Sequence, residues 1–562
     1  MNTEILGIVA MFVLTATLAI PFGKYISKIY SGDKTLLDPV LNPIEKLFFR
    51  VSGIDEKSEM NWKQHLTTLL TINFVWFLLG ILVLMNQGWL PLNPDGNPGQ
   101  SADLAFNTSI SFLVNCNLQH YSGESGLSYL SQLYLMFLHF VSAGTGMAAA
   151  AVLFLALKER ATDKFGNFYN LLVKSCTRIL LPVSILIAIM LSFNGTPMTF
   201  DGKDTMIDMQ GDTVQVSTGP VAAFVAIKHV GTNGGGYFGS NSAHPLENPN
   251  YLTNMVEMFG QMIIPMAMVF AFGFFLKHKK MSRMIFGVMT LGFLLLVVPT
   301  IIWENDGNHA LTAMGIDNSS GAMEGKEVRF GSKASAYWSI ATTVISTGSV
   351  NSMHDSFTPL SGMTQLLAMM TNAFYGGVGV GMLNFFIFII LAVFISGLMV
   401  GRTPELLGRK IEGREMKIAM IVALLHPLLI LAGTALAAAF PEITSGNLNN
   451  PGFHGFSEML YEYTSSAANN GSGFEGLADN NPWWNITTGF VLILSRFIPI
   501  IGPVAIAGLM AEKKYIPESA GTLRTDSGTF GIMILAVITI ITALSFFPAL
   551  TLGPIAEYFS MK

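Results

Sequence analysis

Backbone carbonyls can replace the water around a cation only where the chain turns several of them toward one point. That demands residues tolerant of unusual backbone angles. Four short clusters of this kind interrupt a very apolar chain: Asn115-Cys116-Asn117-Leu118-Gln119, Thr232-Asn233-Gly234-Gly235, Ser346-Thr347-Gly348-Ser349 and Asn469-Asn470-Gly471-Ser472. Counted from Gln119 to Gly234, Gly348 and Gly471, the steps are 115, 114 and 123 residues. Glycine frees the backbone, while Asn and Thr brace such loops or add side-chain oxygens. No cluster holds Asp or Glu, which argues against a carboxylate-built calcium or magnesium site. A weakly hydrated monovalent cation suits these groups, potassium first, with sodium left open by residue chemistry. One Asn-Gly cluster alone reads equally as a turn. Four in register, each behind a short helical segment, read as a ring. Gln119 stands where the other three have Gly, and Cys116 reads as a small packing residue.

The elements that must hold such a ring are membrane helices. Of 562 residues 51% are hydrophobic and only 12% charged, against roughly 25% charged in a soluble domain. Mean hydropathy is +0.50. The apolar runs reach the roughly 20 residues that a helix needs to cross a bilayer, and a barrel would show short alternating segments instead. Ten spans are predicted, at 4–23, 64–86, 127–157, 172–193, 252–276, 283–303, 364–400, 416–440, 485–510 and 529–553. The run from Ile5 to Ile20 has an acidic start and a basic end, the wrong order for a cleaved leader. Cys116 and Cys176 are too few for a disulfide framework and match no zinc or redox spacing. Of the 31 Lys and Arg, 24 fall in and beside the loops after spans 1, 3, 5, 7 and 9. Six lie on the other side, and Arg496 sits inside a span. The positive-inside rule then puts both termini outside.

The loops after spans 2, 4, 6 and 8 are long, and each carries one cluster. Before each cluster runs a half-apolar segment too short to span: Leu104–Val114, Pro220–Val230, Ala334–Ile345 and Phe456–Ala467. Such segments suit re-entrant helices buried in protein. The expected fold is all-α and polytopic, with four span–pore helix–filter–span repeats in pseudo-fourfold arrangement and two additional helices. The units are residues 60–160 with filter 115–119, 168–278 with 232–236, 281–402 with 346–350, and 414–512 with 469–472. Residues 1–26 and 526–562 hold the extra spans. All four units share one orientation, unlike inverted transporter repeats. Glu124, Glu247, Asp355 and Glu475 read either as cation-concentrating groups at the outer mouth or as solvated loop residues.

Several stretches resemble the KdpA family, the potassium-translocating subunits of bacterial Kdp potassium-transporting ATPases. They are Gly231-Thr232-Asn233-Gly234-Gly235-Gly236 running into Asn241-Ser242-Ala243-His244-Pro245, then Met353-His354-Asp355-Ser356-Phe357, Val400-Gly401-Arg402-Thr403-Pro404-Glu405 and Asn469-Asn470-Gly471-Ser472. The resemblance implies a potassium filter at Asn115, Cys116, Asn117, Gln119, Thr232, Asn233, Gly234, Ser346, Thr347, Gly348, Asn469, Asn470 and Gly471. The family often has Thr at position 116 and Cys at 347, so this chain reverses the pair. The resemblance also implies partners: a KdpB-like P-type ATPase that hydrolyses ATP, a KdpC-like subunit and a small KdpF-like peptide. Potassium would enter through the filter and reach the ATPase by an intramembrane tunnel, in a bacterial cell membrane. No covalently bound cofactor is implied.

This division of labour agrees with the absence of a GxxxxGK[ST] loop. Asp33-Lys34-Thr35-Leu36 imitates the start of a P-type phosphorylation motif without its continuation, and reads as coincidence. Gly376-Gly377-Val378-Gly379-Val380-Gly381 interrupts span 7. Such a run either permits close packing or breaks the helix, and the family has a broken helix beneath the filter. A gate at Gly376, Gly377, Gly379 and Gly381 is the expectation. Arg496 reads equally as a structural anchor, binding carbonyls freed by Pro499 and Pro503, or as a group steering cations toward the partner. The basic loop Gly401–Lys417 reads as a positive-inside loop, or as a contact with lipid or the ATPase. The alternative function is a self-sufficient potassium channel or ion-coupled transporter of the same superfamily. A membrane enzyme is the weakest reading, since no nucleophile–base or metal-ligand cluster stands out.

Overall fold

The computed structural model describes residues 3–159, 161–517 and 524–561; the unit bounds at residues 1, 160 and 562 lie outside them. Among the described residues ten helices are long and apolar enough to cross a bilayer: Glu4–Ser31, Trp62–Asn86, Tyr129–Lys158, Phe168–Phe193, Tyr251–Phe275, Lys279–Ala313, Val380–Met399, Gly413–Ala439, Pro482–Ala511 and Gly528–Ser560. Several start on side-chain caps that satisfy the first free N–H groups: Asn61, Ser128, Asn250 and Asn481. Tyr129–Lys158 and Tyr251–Phe275 are buried over nearly their whole apolar windows, whereas Glu4–Ser31 and Trp62–Asn86 are mostly exposed. The first pair therefore forms the protein core, and the second pair presents apolar side chains outward, as lipid-facing helices must. Glu4–Ser31 packs along Tyr251–Phe275. Gly23 allows the approach, since a Cβ there would come within 2.7 Å of the Phe270 Cβ.

The seventh predicted span is two helices. Pro359–Thr371 ends at Asn372, and Val380–Val400 begins eight residues later. Between them Asn372, Tyr375, Gly376 and Gly379 all have positive φ, which no α-helix accommodates. Residues 364–400 carry no charge, so the lack of charge alone extends the span too far.

Several small features were not predicted, among them a helix and a basic-side hairpin. An amphipathic helix, Asp38–Ser52, follows the first span. Arg178 pins it from the fourth span, donating to Asp38 and Glu45, each at 2.6 Å. Thr35 of the Asp33–Leu36 stretch donates to the Asp38 carboxylate at 2.7 Å, so that stretch leads into this helix. The basic loop after residue 400 folds into a hairpin, Glu405–Leu406 with Arg409–Lys410. Its Arg409 is buried and donates to the Leu157 carbonyl at 2.8 Å, which makes it a brace inside the protein.

Candidate cation site at four converging loops

Four short helices, Ala102–Leu113, Val221–Val230, Gly331–Ile345 and Gly452–Ala468, each end within two residues of a polar cluster. A helix C-terminus carries partial negative charge, so four of them aimed at one place favour a cation there. The same anchor recurs in each unit. The N–H groups of Cys116, Asn233, Thr347 and Asn470 donate to the carbonyls of Ser111, Lys228, Thr342 and Ser465, at 3.1, 2.8, 3.0 and 2.9 Å. Each acceptor lies four residues ahead of the first cluster residue.

Backbone angles repeat as well. The first residues, Asn115, Thr232, Ser346 and Asn469, have φ of 62°, 47°, 56° and 49°. The third residues, Asn117, Gly234, Gly348 and Gly471, have φ of 57°, 83°, 77° and 102°. The residue between them is not left-handed in any loop. Alternating handedness turns successive carbonyls to one side, where residues of one hand would splay them apart. This alignment corrects the spacing argument at one position. Asn117, not Gln119, is the counterpart of the three glycines. Asn tolerates the left-handed region better than most side chains, which is why glycine identity misled the count.

The loops touch in cyclic order. A side chain at Gly234 would fall on the Thr347 carbonyl oxygen, one at Gly348 on that of Asn470, and one at Gly471 on that of Cys116. The fourth junction, first loop to second, is made by side-chain amides instead. Asn115 donates to the Thr232 carbonyl at 2.8 Å, Asn117 to Gly234 at 2.8 Å, and Gln119 to Gly236 at 2.9 Å. Gly236 N–H returns a bond to Gln119 Oε1 at 2.8 Å. All thirteen predicted filter residues thus lie in one ring of loops, with Gln119 bracing it from one residue pair beyond. Asn117 Oδ1, Asn233 Oδ1 and Thr347 Oγ1 are buried without a hydrogen-bond donor. Buried oxygens left without a donor are unfavourable unless another positive partner is supplied.

Directly against the ring lies the break at residues 372–379. Val378 N–H donates to Thr232 Oγ1 at 2.9 Å, tying the break to the second polar loop. Gly376 and Gly379 both have positive φ, and a Cβ at Gly379 would strike the backbone of Gly146. A Cβ at Gly381 would strike the Tyr375 carbonyl, while Gly377 has room. Arg496 is buried, and its Nη2 donates to the Ser142 carbonyl at 3.2 Å on another helix. Its partner is therefore not a carbonyl freed by Pro499 or Pro503. The guanidinium passes 3.4 Å from where a Cβ on Gly146 would stand, so Arg496, Gly146 and the glycine break are neighbours.

On the opposite side of the ring opens a cavity of about 840 Å³, lined by Gln119, Gly348, Gly471, Glu327, Glu475 and Asp479 among others. Of the four acids named from sequence, Glu475 alone lines it. Glu124 accepts from Gly239 N–H at 2.8 Å, Glu247 is buried against Lys228, and Asp355 pairs with His454 at 2.8 Å. Burial pushes the Glu475 carboxyl up to about 8. Burial also raises Asp479, with the nearby Glu462 adding to it and His120 opposing. His120 is raised in turn: burial disfavours its charge, but Asp479 and Glu462 outweigh that. Sequence reading missed His120 and Asp479, which meet only through the fold.

Residues 9–559 match the family described as KdpA, potassium-transporting ATPase A subunit. The potassium-transporting ATPase potassium-binding subunit of Flavobacterium johnsoniae is 71% identical, with 100% of both chains covered. Its namesake in Geobacillus kaustophilus is 46% identical over 98% of each. Among solved structures, the potassium transporter TrkH from Vibrio parahaemolyticus has the same fold, with a TM-score of 0.53 at 13% identity. That match covers 89% of this chain and 98% of the other. With a family match across nearly its whole length and full-length relatives this similar, the chain belongs to the KdpA family of potassium-transporting ATPase A subunits.

Proposed function

We propose that this chain is the potassium-binding subunit of an ATP-driven potassium uptake pump. The observation that carries the reading is the cyclic contact of four loops with matched left-handed residues, which supplies a ring of carbonyl oxygens without fixed charge. A potassium ion leaving water recovers its oxygen ligands there, and neutral carbonyls bind it without trapping it. The four short helices act as pore helices of four repeats, 60–160, 168–278, 281–402 and 414–512, with the first and last spans outside them. The loops face the outside of a bacterial cell membrane, as do both termini, consistent with basic loops on the other side. The glycine break below the filter closes the direct path to the cytoplasm, with Arg496 beside it. Potassium instead leaves sideways to a KdpB-like P-type ATPase, and KdpC-like and KdpF-like subunits complete the complex.

The test is rubidium uptake by cells that lack other potassium uptake and express this chain with or without its ATPase subunit. Uptake only with the partner, at the expense of ATP, is expected. Robust uptake by the chain alone would instead identify a self-sufficient channel or transporter.

A further inference from the structure

The four anchor residues behind the ring are not chemically alike. In three units the anchor is a hydroxyl residue that also grips its own loop. Ser111 Oγ donates to the Leu118 carbonyl at 3.0 Å, Thr342 Oγ1 to that of Ser349 at 2.9 Å, and Ser465 Oγ accepts from Gly471 N–H at 3.0 Å. In the second unit the anchor is Lys228. Its ammonium pairs with Glu247 and donates to Ser242 Oγ at 3.0 Å, and neither charged side chain has exposed surface. Glu247 Oε1 in turn accepts the Phe238 N–H at 2.8 Å. Ser242 donates to Glu257 at 2.6 Å and lies 3.2 Å from the Ser349 hydroxyl, which directly follows Gly348 of the third loop.

We infer that the buried Lys228–Glu247 pair is a positioning device that sets the cation affinity and selectivity of the ring. The inference rests on the potassium-filter reading above. Three geometric facts carry it. Lys228 holds the loop from below through its carbonyl, which takes the N–H groups of Asn233 and Gly234 at 2.8 and 3.3 Å. It holds the return strand through Glu247, whose other oxygen fixes Phe238, four residues past Gly234. Through Ser242 it reaches Ser349, so one cluster spans the second and third loops. A hydroxyl reaches only its own loop; the longer ammonium side chain reaches a segment beyond it. The second loop needs the extra hold because it also accepts three amides of the first loop, whereas the third unit accepts one from the fourth, Asn470 to the Thr342 carbonyl at 2.9 Å. The lysine thus holds the loop that receives those three amides. The pair also explains the Asn241–Pro245 stretch, whose Ser242 is the hub of the cluster.

The test uses the complete complex, with rubidium uptake measured against rubidium concentration and against competing sodium. Lys228→Met alone leaves the Glu247 carboxylate unpaired, so Lys228→Met with Glu247→Gln, which removes both charges of the pair and leaves Glu257 its contact with His229 at 2.9 Å, is the decisive variant. That double variant is expected to reach normal membrane levels and normal thermal stability. Its KM for rubidium rises at least about tenfold while the maximal rate changes little, and sodium competes more effectively. Lys228→Arg, which keeps the charge and reach, recovers most of the affinity. A folded double variant with wild-type KM and wild-type sodium exclusion would overturn the inference. No uptake by the wild-type complex would instead remove the functional reading, and this role with it.

Discussion

Gly471 lies so close to Cys116 that a side chain on the first would occupy the carbonyl oxygen of the second. That contact joins the last polar loop to the first and closes the ring. It also shows what glycine does here. The position requires a positive φ, 102°, and at the same time no Cβ.

Gly234→Ser would place a Cβ on the Thr347 carbonyl, so one of two neighbouring loops must move. Half-maximal rubidium uptake by the complex is expected to shift upward by about tenfold or more, equivalent to at least about 1.4 kcal/mol. An unchanged concentration dependence would remove Gly234 from the filter.

At Gly379, φ is 79° and the Gly146 backbone fills the space a side chain would need. Gly379→Val is expected to displace the break from beneath Thr232, which receives the Val378 N–H. Rubidium transported per ATP hydrolysed should fall by about twofold or more. If transport and ATP turnover are both unaltered, the break is not a gate.

The mouth should make uptake pH-dependent. Glu475 has its carboxyl raised to about 8, and Asp479 is raised as well. Both line the cavity over the ring. Deprotonation as external pH rises from about 6 to about 9 adds negative charge there and concentrates cations. Apparent rubidium affinity should therefore improve over that range, and Glu475→Gln should flatten the change. Affinity that falls with rising pH would refute this.

A second pH effect belongs to stability. His454 bridges Asp355 and Glu557, each at 2.8 Å. Burial disfavours the imidazolium, but the two carboxylates hold its pKa up at about 10, against about 6.5 for a free His. A raised pKa means that the contribution is complete below about 6.5 and is lost as pH rises through about 10. The melting temperature of the wild type should drop over that interval more than that of His454→Gln. Parallel curves would show that the bridge contributes nothing.

The sequence was most legible where one physical constraint acts on neighbouring residues. Apolar run length located all ten long helices because a bilayer fixes that length. The short helices and their loops were readable for a similar reason: a segment too short to span, ending in Asn and Gly, has few other uses at membrane depth. Legibility failed where meaning comes from contact across the chain. Nothing local marks Arg496 as the partner of Ser142, or Lys228 as the partner of Glu247. The misalignment of Gln119 had another cause. Matching by residue type looked for glycine, whereas the fold selects a backbone angle, and Asn117 reaches that angle with a side chain that is then used to hold Gly234.

Thr232 is the least comfortable residue in the ring, a β-branched side chain at φ 47°. The left-handed region costs an ordinary residue about 1–2 kcal/mol, and four loops each begin with a non-glycine residue there. That strain is settled once, when the protein folds and bonds such as Val378 N–H to Thr232 lock the loops. An arriving ion then finds its ligands already arranged and has no reorganisation left to drive. On the proposed reading, the cost of ordering the ligands is therefore borne by folding and not by binding.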